Sequence, residues 1–242
     1  GRLDATNIVT PEFSIITSIG LDHSSHLGKK IADIAKEKAG IIKSQIPVFC
    51  GFNISPIAKK VIKCRAKNLS SPITFCGKKA VFIRHGKFLS TAFTGHILNY
   101  NGVSVPIRLP GIQQAKNLPL VSDALSYLAK KYKFNHEKTL LGLSKLSLCA
   151  RLNVMPDSSL LDGAHNPQAI SILVKNIKYY FKKKKFCVIF ACMKDKDAVG
   201  MIKRLSEIAS EFRFVPLSVL NRKSYSPQEL FEIARNFKMN AK

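Results

Sequence analysis

Apolar and polar positions along the chain alternate between strand-length and helix-length segments. SIITSIG at residues 14–20 is a short β-rich run closed by a glycine. From 31 to 42 the apolar residues Ile31, Ala32, Ile34, Ala35, Ala39 and Ile42 recur at mixed spacings of three and four, which predicts an amphipathic helix. PVFCGF at 47–52 reads as a strand, and 56–67 as a helix with Ile57, Ala58, Val61 and Ile62 on one side. This strand–helix–strand–helix order predicts a parallel sheet with crossover helices. Near residue 70 the pattern shortens. The runs 73–76, 80–84, 87–89, 96–99 and 103–109, separated by Gly or Asn turns, predict a small antiparallel insert. Helices at 113–131 and 137–144 follow. A boundary is expected within 145–153, after which the alternation restarts: strand 159–161, helix 167–181, strand 186–192, helix 198–212, strand 214–217 and helix 227–237. That second unit reads as doubly wound around a short parallel sheet.

Composition narrows the class. The 242 residues are 46% hydrophobic and 22% charged, enough to build a core and unlike disordered or collagen-like material. No run of about 18 apolar residues occurs, so a spanning helix is not expected, and the first residues do not read as a signal peptide. Lys and Arg number 39 against 15 acids, a formal charge of +24. Such a balance raises nucleic acid or an anionic substrate as partners. The excess is spread over both halves, with Lys182–Lys185 as the dense run, so a dedicated nucleic-acid module is not expected. The six cysteines form no Cys-x-x-Cys pair and read as reduced thiols of a cytoplasmic protein.

Four constellations could carry chemistry. Gly20-Leu21-Asp22-His23 follows a strand, where ligands of open α/β sheets sit; Asp22 and His23 could hold a cation, or simply cap and decorate a turn. Lys38 lies near the end of an otherwise apolar helix, either as a solvated cation or as an amine open to modification. Leu161-Asp162-Gly163-Ala164-His165-Asn166-Pro167 places a carboxylate after a strand expected to be buried, then small residues, then a proline suited to a helix start. That arrangement suits phosphate or a ribose hydroxyl, with Asp162 aimed at the helix N-terminus either as a ligand group or as its cap. Arg151, at the expected hinge, could clamp phosphate with its planar fork or be a surface charge.

GRLDATN at 1–7, SIGLDH ending at His23, EKAGIIK at 37–43, G-x-x-Q-x-x-N at 111–117 and LDGAHNP at 161–167 together resemble the folylpolyglutamate synthase/dihydrofolate synthase family of Mur-type amide ligases. Their order and spacing match that family across nearly the whole chain. The resemblance implies an α/β protein: part of a P-loop-type ATPase domain with a small antiparallel β insert at 1–148, then a Rossmann-like C-terminal domain at 149–242. It implies ATP-dependent ligation of L-glutamate to dihydropteroate or folate through an acyl phosphate, with ATP and Mg²⁺ as cofactors. By matching motif, His23 and a carbamylated Lys38 resemble the metal ligands; Lys38 and His165 are the catalytic candidates, His165 as a neighbour of the phosphates or of the glutamate amine. Leu3, Asp4 and Ala5 resemble the pterin-contacting segment, and Asn117, Arg151 and Asp162 the ATP contacts. The resemblance further implies a cytoplasmic monomer acting without membrane or nucleic acid.

Departures from the family pattern are also legible. No Gly-rich loop ending in Gly-Lys-Ser/Thr occurs in the sequence, so the chain is expected to be a portion of such an enzyme with little ATPase activity in isolation. Ala150 replaces the family's Gly before Arg151, Asn153 replaces an acid, and Ala191 replaces the Gly before the 193–197 segment. The competing expectations are an inactive or fragmentary homologue, or a Mur-type ligase for another amino acid.

Overall fold

A computed structural model describes residues 2, 4–19, 30–219 and 222–237. It divides into two compact units, Gly1–Leu160 and Leu161–Lys242.

The first unit opens with a 3₁₀ turn (Ala5–Ile8) and a parallel sheet ordered β1 (Ser14–Ile16), β2 (Val48–Cys50), β3 (Ile73–Phe75). Helices α1 (Ile31–Ala39) and α2 (Pro56–Asn68) provide the crossovers. Ile34, Ala35 and Ala39 of α1 and Ala58, Ile62 and Ala66 of α2 pack with Ile16, Val48 and Cys50 of the sheet. Small alanines let both helices approach closely. Ser55 caps α2 through the Ala58 amide, and Pro56 occupies the first helical position, where no N–H is needed. The run at 73–76 was expected in the antiparallel insert. Instead Ile73–Phe75 pairs in parallel with Val48–Cys50, because the α2 crossover returns the chain in the same direction.

The insert consists of β4 (Val81–Arg84), β7 (His96–Tyr100) and β8 (Val103–Ile107) in an antiparallel sheet, with the hairpin β5 (Phe88–Leu89) and β6 (Ala92–Phe93) beside it in sequence. Strands β7 and β8 turn through Asn101-Gly102, both at positive φ, the chemistry a two-residue hairpin requires. Leu98, Tyr100, Val105 and Ile107 face Ala115 and Leu118 of α3 (Gln114–Tyr132) and Leu140 of α4 (His136–Leu141). Pro119 lies inside α3 and has no N–H to give the Ala115 carbonyl. The Ala80 amide fills that vacancy at 2.7 Å and ties the insert to the helix. A 3₁₀ turn (Gly142–Lys145) and the short strands β9 (Asn153–Val154) and β10 (Leu160–Leu161) complete the first unit, the division falling within β10.

The second unit has α5 (Pro167–Phe181), β11 (Phe186–Phe190), α6 (Ala198–Leu205), β12 (Ala209–Phe214) and α7 (Pro227–Arg235), with β11 and β12 parallel. The helix expected over 198–212 stops at Leu205, and the strand expected at 214–217 lies earlier. Leu205, Ile208, Ala209 and Phe212 mimic a helical stripe by spacing. Phe212 and Phe214, stacked 5.5 Å apart and buried, follow the strand period instead. Among the described residues no helix is long and apolar enough to cross a membrane.

Candidate functional site

Two of the motifs interlock. The Arg2 amide donates to the Glu37 carbonyl at 2.9 Å, and Arg2 Nε lies 3.2 Å from each Glu37 carboxylate oxygen. Asn7 Nδ2 donates to the carbonyls of Arg2 and Gly40, and Lys43 Nζ donates to the Asn7 carbonyl. The segment containing Asp4 and Ala5 is thereby fastened to the C-terminal end of α1. Gly40 is required there: an added Cβ would stand 2.5 Å from the Arg2 Cβ. Asp4 caps the 3₁₀ turn, its Oδ1 accepting from the Thr6 hydroxyl at 2.6 Å and amide at 2.9 Å. Those bonds hold its carboxyl below the usual range. Ala5 begins the turn. Lys38 is half-buried in the last turn of α1, where its carbonyl accepts from the Ile41 amide at 3.4 Å. Leu3 and His23 lie outside the described residues. Among the described residues no three His, Cys, Asp or Glu side chains group to hold a metal.

Asn117 is exposed in the first turns of α3, and a buried residue fixes how it faces. Gln114 Nε2 donates to the Pro110 carbonyl at 3.2 Å. A carbonyl only accepts, so Gln114 must turn its amide nitrogen there and its oxygen toward Asn117. Asn117 Nδ2 donates to that oxygen at 3.2 Å, which leaves Asn117 Oδ1 as the side chain's acceptor. Gly111 begins this segment at φ +116, where an added Cβ would meet the Gln113 side chain at 2.3 Å. Gln114 is the residue that sequence reasoning left out of the site; its place in the G-x-x-Q-x-x-N spacing was the available signal.

Arg151 is exposed, with Nη1 donating to the Ala150 carbonyl at 3.0 Å and its backbone amide to Asn153 Oδ1 at 3.0 Å. Its neighbours Ala150 and Leu152 both adopt φ +54. Beside this loop, a cavity of about 180 Å³ is lined by Phe93, Arg108, Leu148, Leu152 and Asn153, among others.

The 161–167 segment differs from expectation in two respects. Leu161 is 42% exposed, so Asp162 does not end a buried strand. The cap of α5 is Asn166, whose Oδ1 accepts from the Ala169 amide at 2.8 Å. Asp162 Oδ1 instead accepts from the Ala164 amide at 2.9 Å, forming a tight turn two residues long. His165 is exposed, and its Nδ1 lies 2.9 Å from the Gly163 carbonyl. Nδ1 must therefore carry the proton, which leaves Nε2 of the neutral ring as an outward acceptor. The sequence thus places Asp162, His165 and Asn166 within one turn, with separate tasks. Asp197, in the 193–197 segment, caps α6 through the Gly200 amide at 2.8 Å.

A family model described as "Mur ligase, glutamate ligase domain" matches residues 150–240. The dihydrofolate synthase/folylpolyglutamate synthase of Bacillus subtilis is 32% identical over 239 residues, covering 95% of this chain and 55% of that protein. The chain belongs to the folylpolyglutamate synthase/dihydrofolate synthase family. It spans about half the length of the curated relatives it matches. Among solved structures, the folylpolyglutamate synthase of Mycobacterium tuberculosis complexed with ADP and AMPPCP matches with a TM-score of 0.81 at 22% identity, covering 100% of this chain and 56% of that one. An FPGS–AMPPCP–folate complex matches with a TM-score of 0.74 at 28% identity, covering 100% and 60%.

The left-handed backbone of Ala150 is the conformation that glycine adopts without a Cβ penalty.

Proposed function

We propose that the protein takes part in ATP-dependent ligation of L-glutamate to dihydropteroate or folate through an acyl-phosphate intermediate. The observation that carries this reading is the fastening of the Arg2–Glu37 and Asn7–Gly40 pairs, which sets the pterin-type segment beside the helix end bearing Lys38. In this reading Asp4 and Ala5, with Leu3, contact the pterin. Asn117 offers its outward acceptor to the nucleotide, Arg151 faces the phosphates and Asp162 a ribose hydroxyl. His165 Nε2 is an acceptor available to the incoming amine. The ligand pair assigned to Mg²⁺ is His23 with a carbamylated Lys38. The described residues alone do not make up a donor set for it. When bound, Mg²⁺ supplies positive charge against the phosphates. The +24 charge suits polyanionic substrates. We assign residues 1–148 to the ATPase domain and 149–242 to the glutamate ligase domain, in a cytoplasmic monomer.

The test is ligation by the purified protein with ATP, Mg²⁺, L-glutamate and either dihydropteroate or folate, with products identified by mass spectrometry. A product one glutamyl residue heavier is expected when residues 1–242 are joined to a portion carrying the Gly-Lys-Ser/Thr phosphate loop, and little product from residues 1–242 alone. Incorporation of another amino acid, or no ATP-dependent product from the joined protein, overturns the reading in favour of another Mur-type ligase or an inactive homologue.

A further inference from the structure

A buried imidazole in the insert reaches the segment that carries Asn117. His96, the first residue of β7, is 1% exposed. Its Nδ1 accepts the Gly86 amide proton at 3.0 Å, so that nitrogen carries no hydrogen. The other ring nitrogen must be the protonated one, and it donates to the Gly111 backbone. The Gly111 carbonyl is also the acceptor for the Gln114 amide at 3.2 Å, the bond that opens α3. One imidazole therefore links the turn after β4 to the start of the G-x-x-Q-x-x-N segment.

The ring cannot easily be displaced. Phe82 and Phe93 pack edge-on against it, with centroids 4.9 and 5.0 Å away. Gly86 is hemmed in as well: an added Cβ would meet the Phe93 ring at 2.4 Å and the Gly95 carbonyl at 2.5 Å. Gly111 sits at φ +116, where no side chain of its own restrains it and contacts from outside must fix its carbonyl direction. From Gly111 the order passes to Gln114, held by Pro110, and from Gln114 to the Asn117 amide.

We propose that His96 is a positioning residue for the nucleotide site, acting through Gly111 and Gln114 to set the direction of the Asn117 acceptor without itself touching ligand. This rests on the reading of Asn117 as a nucleotide contact.

Three variants separate positioning from mere packing. His96→Phe keeps the ring volume and loses both bonds. His96→Gln places an amide nitrogen near the position of the donor to Gly111. His96→Asn instead places an oxygen near the acceptor for Gly86. The readouts are ATP affinity by calorimetry, amide exchange at Gln114 and the melting temperature. His96→Phe is expected to weaken ATP binding by between about two- and thirtyfold and to speed exchange at Gln114. His96→Gln is expected to recover more affinity than His96→Asn, whatever their melting temperatures. Should His96→Phe fail to fold, the Gln and Asn pair decides. Affinity that is unchanged in the variants, or that only follows the melting temperature, overturns the proposal and leaves the nucleotide reading standing. Absence of ATP binding by the unaltered protein overturns both.

Discussion

Arg2 and Glu37 are joined twice, once through the backbone at 2.9 Å and once through side chains at 3.2 Å. The two bonds differ in value. The ion pair is partly exposed, at 59% for Arg2 and 25% for Glu37, and such pairs contribute about 0–1 kcal/mol. Glu37→Gln should therefore change stability by less than about 1 kcal/mol. Gly40→Ala should cost more, roughly 1–3 kcal/mol, because its Cβ meets Arg2 backbone and side chain together. Denaturant melts of the two variants, with amide exchange at Asn7, test the ranking. Equal, small losses would mean that the interlock does not hold the segment.

Ala150 and Leu152 flank Arg151 with the same left-handed backbone, yet their substitutions should act in opposite directions. Ala150→Gly removes a Cβ from a conformation that disfavours it and should stabilise by about 0.5–1 kcal/mol. Leu152→Gly relieves the same conformation but deletes a side chain only 2% exposed, and should destabilise by about 2 kcal/mol or more. Thermal unfolding distinguishes the two. Destabilisation by Ala150→Gly would show that the loop is held by contacts of the methyl group.

The sequence made the crossover elements legible because their cues are local. Helical spacing and Pro56 announced α2, and Pro167 opened α5 where expected. What was misread depended on partners distant in sequence. Ile73–Phe75 looks like any other short run until its parallel neighbour is known. Ala209–Phe214 satisfies a helical stripe by accident, and only the stacking of Phe212 on Phe214 resolves the period. The site followed the same division. Motif residues could be named, but the interlock of Arg2 and Asn7 with Glu37 and Gly40 spans more than thirty positions and has no local signature. Asp162 and Asn166 were both visible as polar groups at a helix start. Which of them caps depends on backbone geometry that composition does not reveal.

That division of labour yields a contrast. Asn166→Ala removes the cap of α5 and should cost about 1 kcal/mol. Asp162→Asn keeps an oxygen for the Ala164 amide, so the turn and the melting temperature should barely change. Its effect should fall on ATP instead, as a weaker apparent affinity, because the ligand loses a carboxylate. Calorimetric titration with ATP beside thermal melts reads both. If Asp162→Asn lowers stability and leaves ATP affinity unchanged, the carboxylate serves the fold alone.

Acid should expose the cost of burying His96. Burial, with a smaller contribution from the His85 ring 5.9 Å away, lowers its pKa from 6.5 to about 4. Phe82 and Phe93 offer the ring no charge, and the Gly86 amide already occupies Nδ1. Protonation would set an N–H against that amide. Because the folded state binds the proton less readily than the unfolded chain, the unfolded state gains protons first as pH falls. The stability due to the neutral ring is therefore complete above pH 6.5 and declines as pH drops toward 4. The difference between the two pKa values corresponds to roughly 3 kcal/mol. Urea unfolding of wild type and His96→Gln between pH 8 and 4 should show a steeper acid loss for wild type, since glutamine does not titrate. Parallel curves for the two proteins would show that His96 does not account for the acid loss.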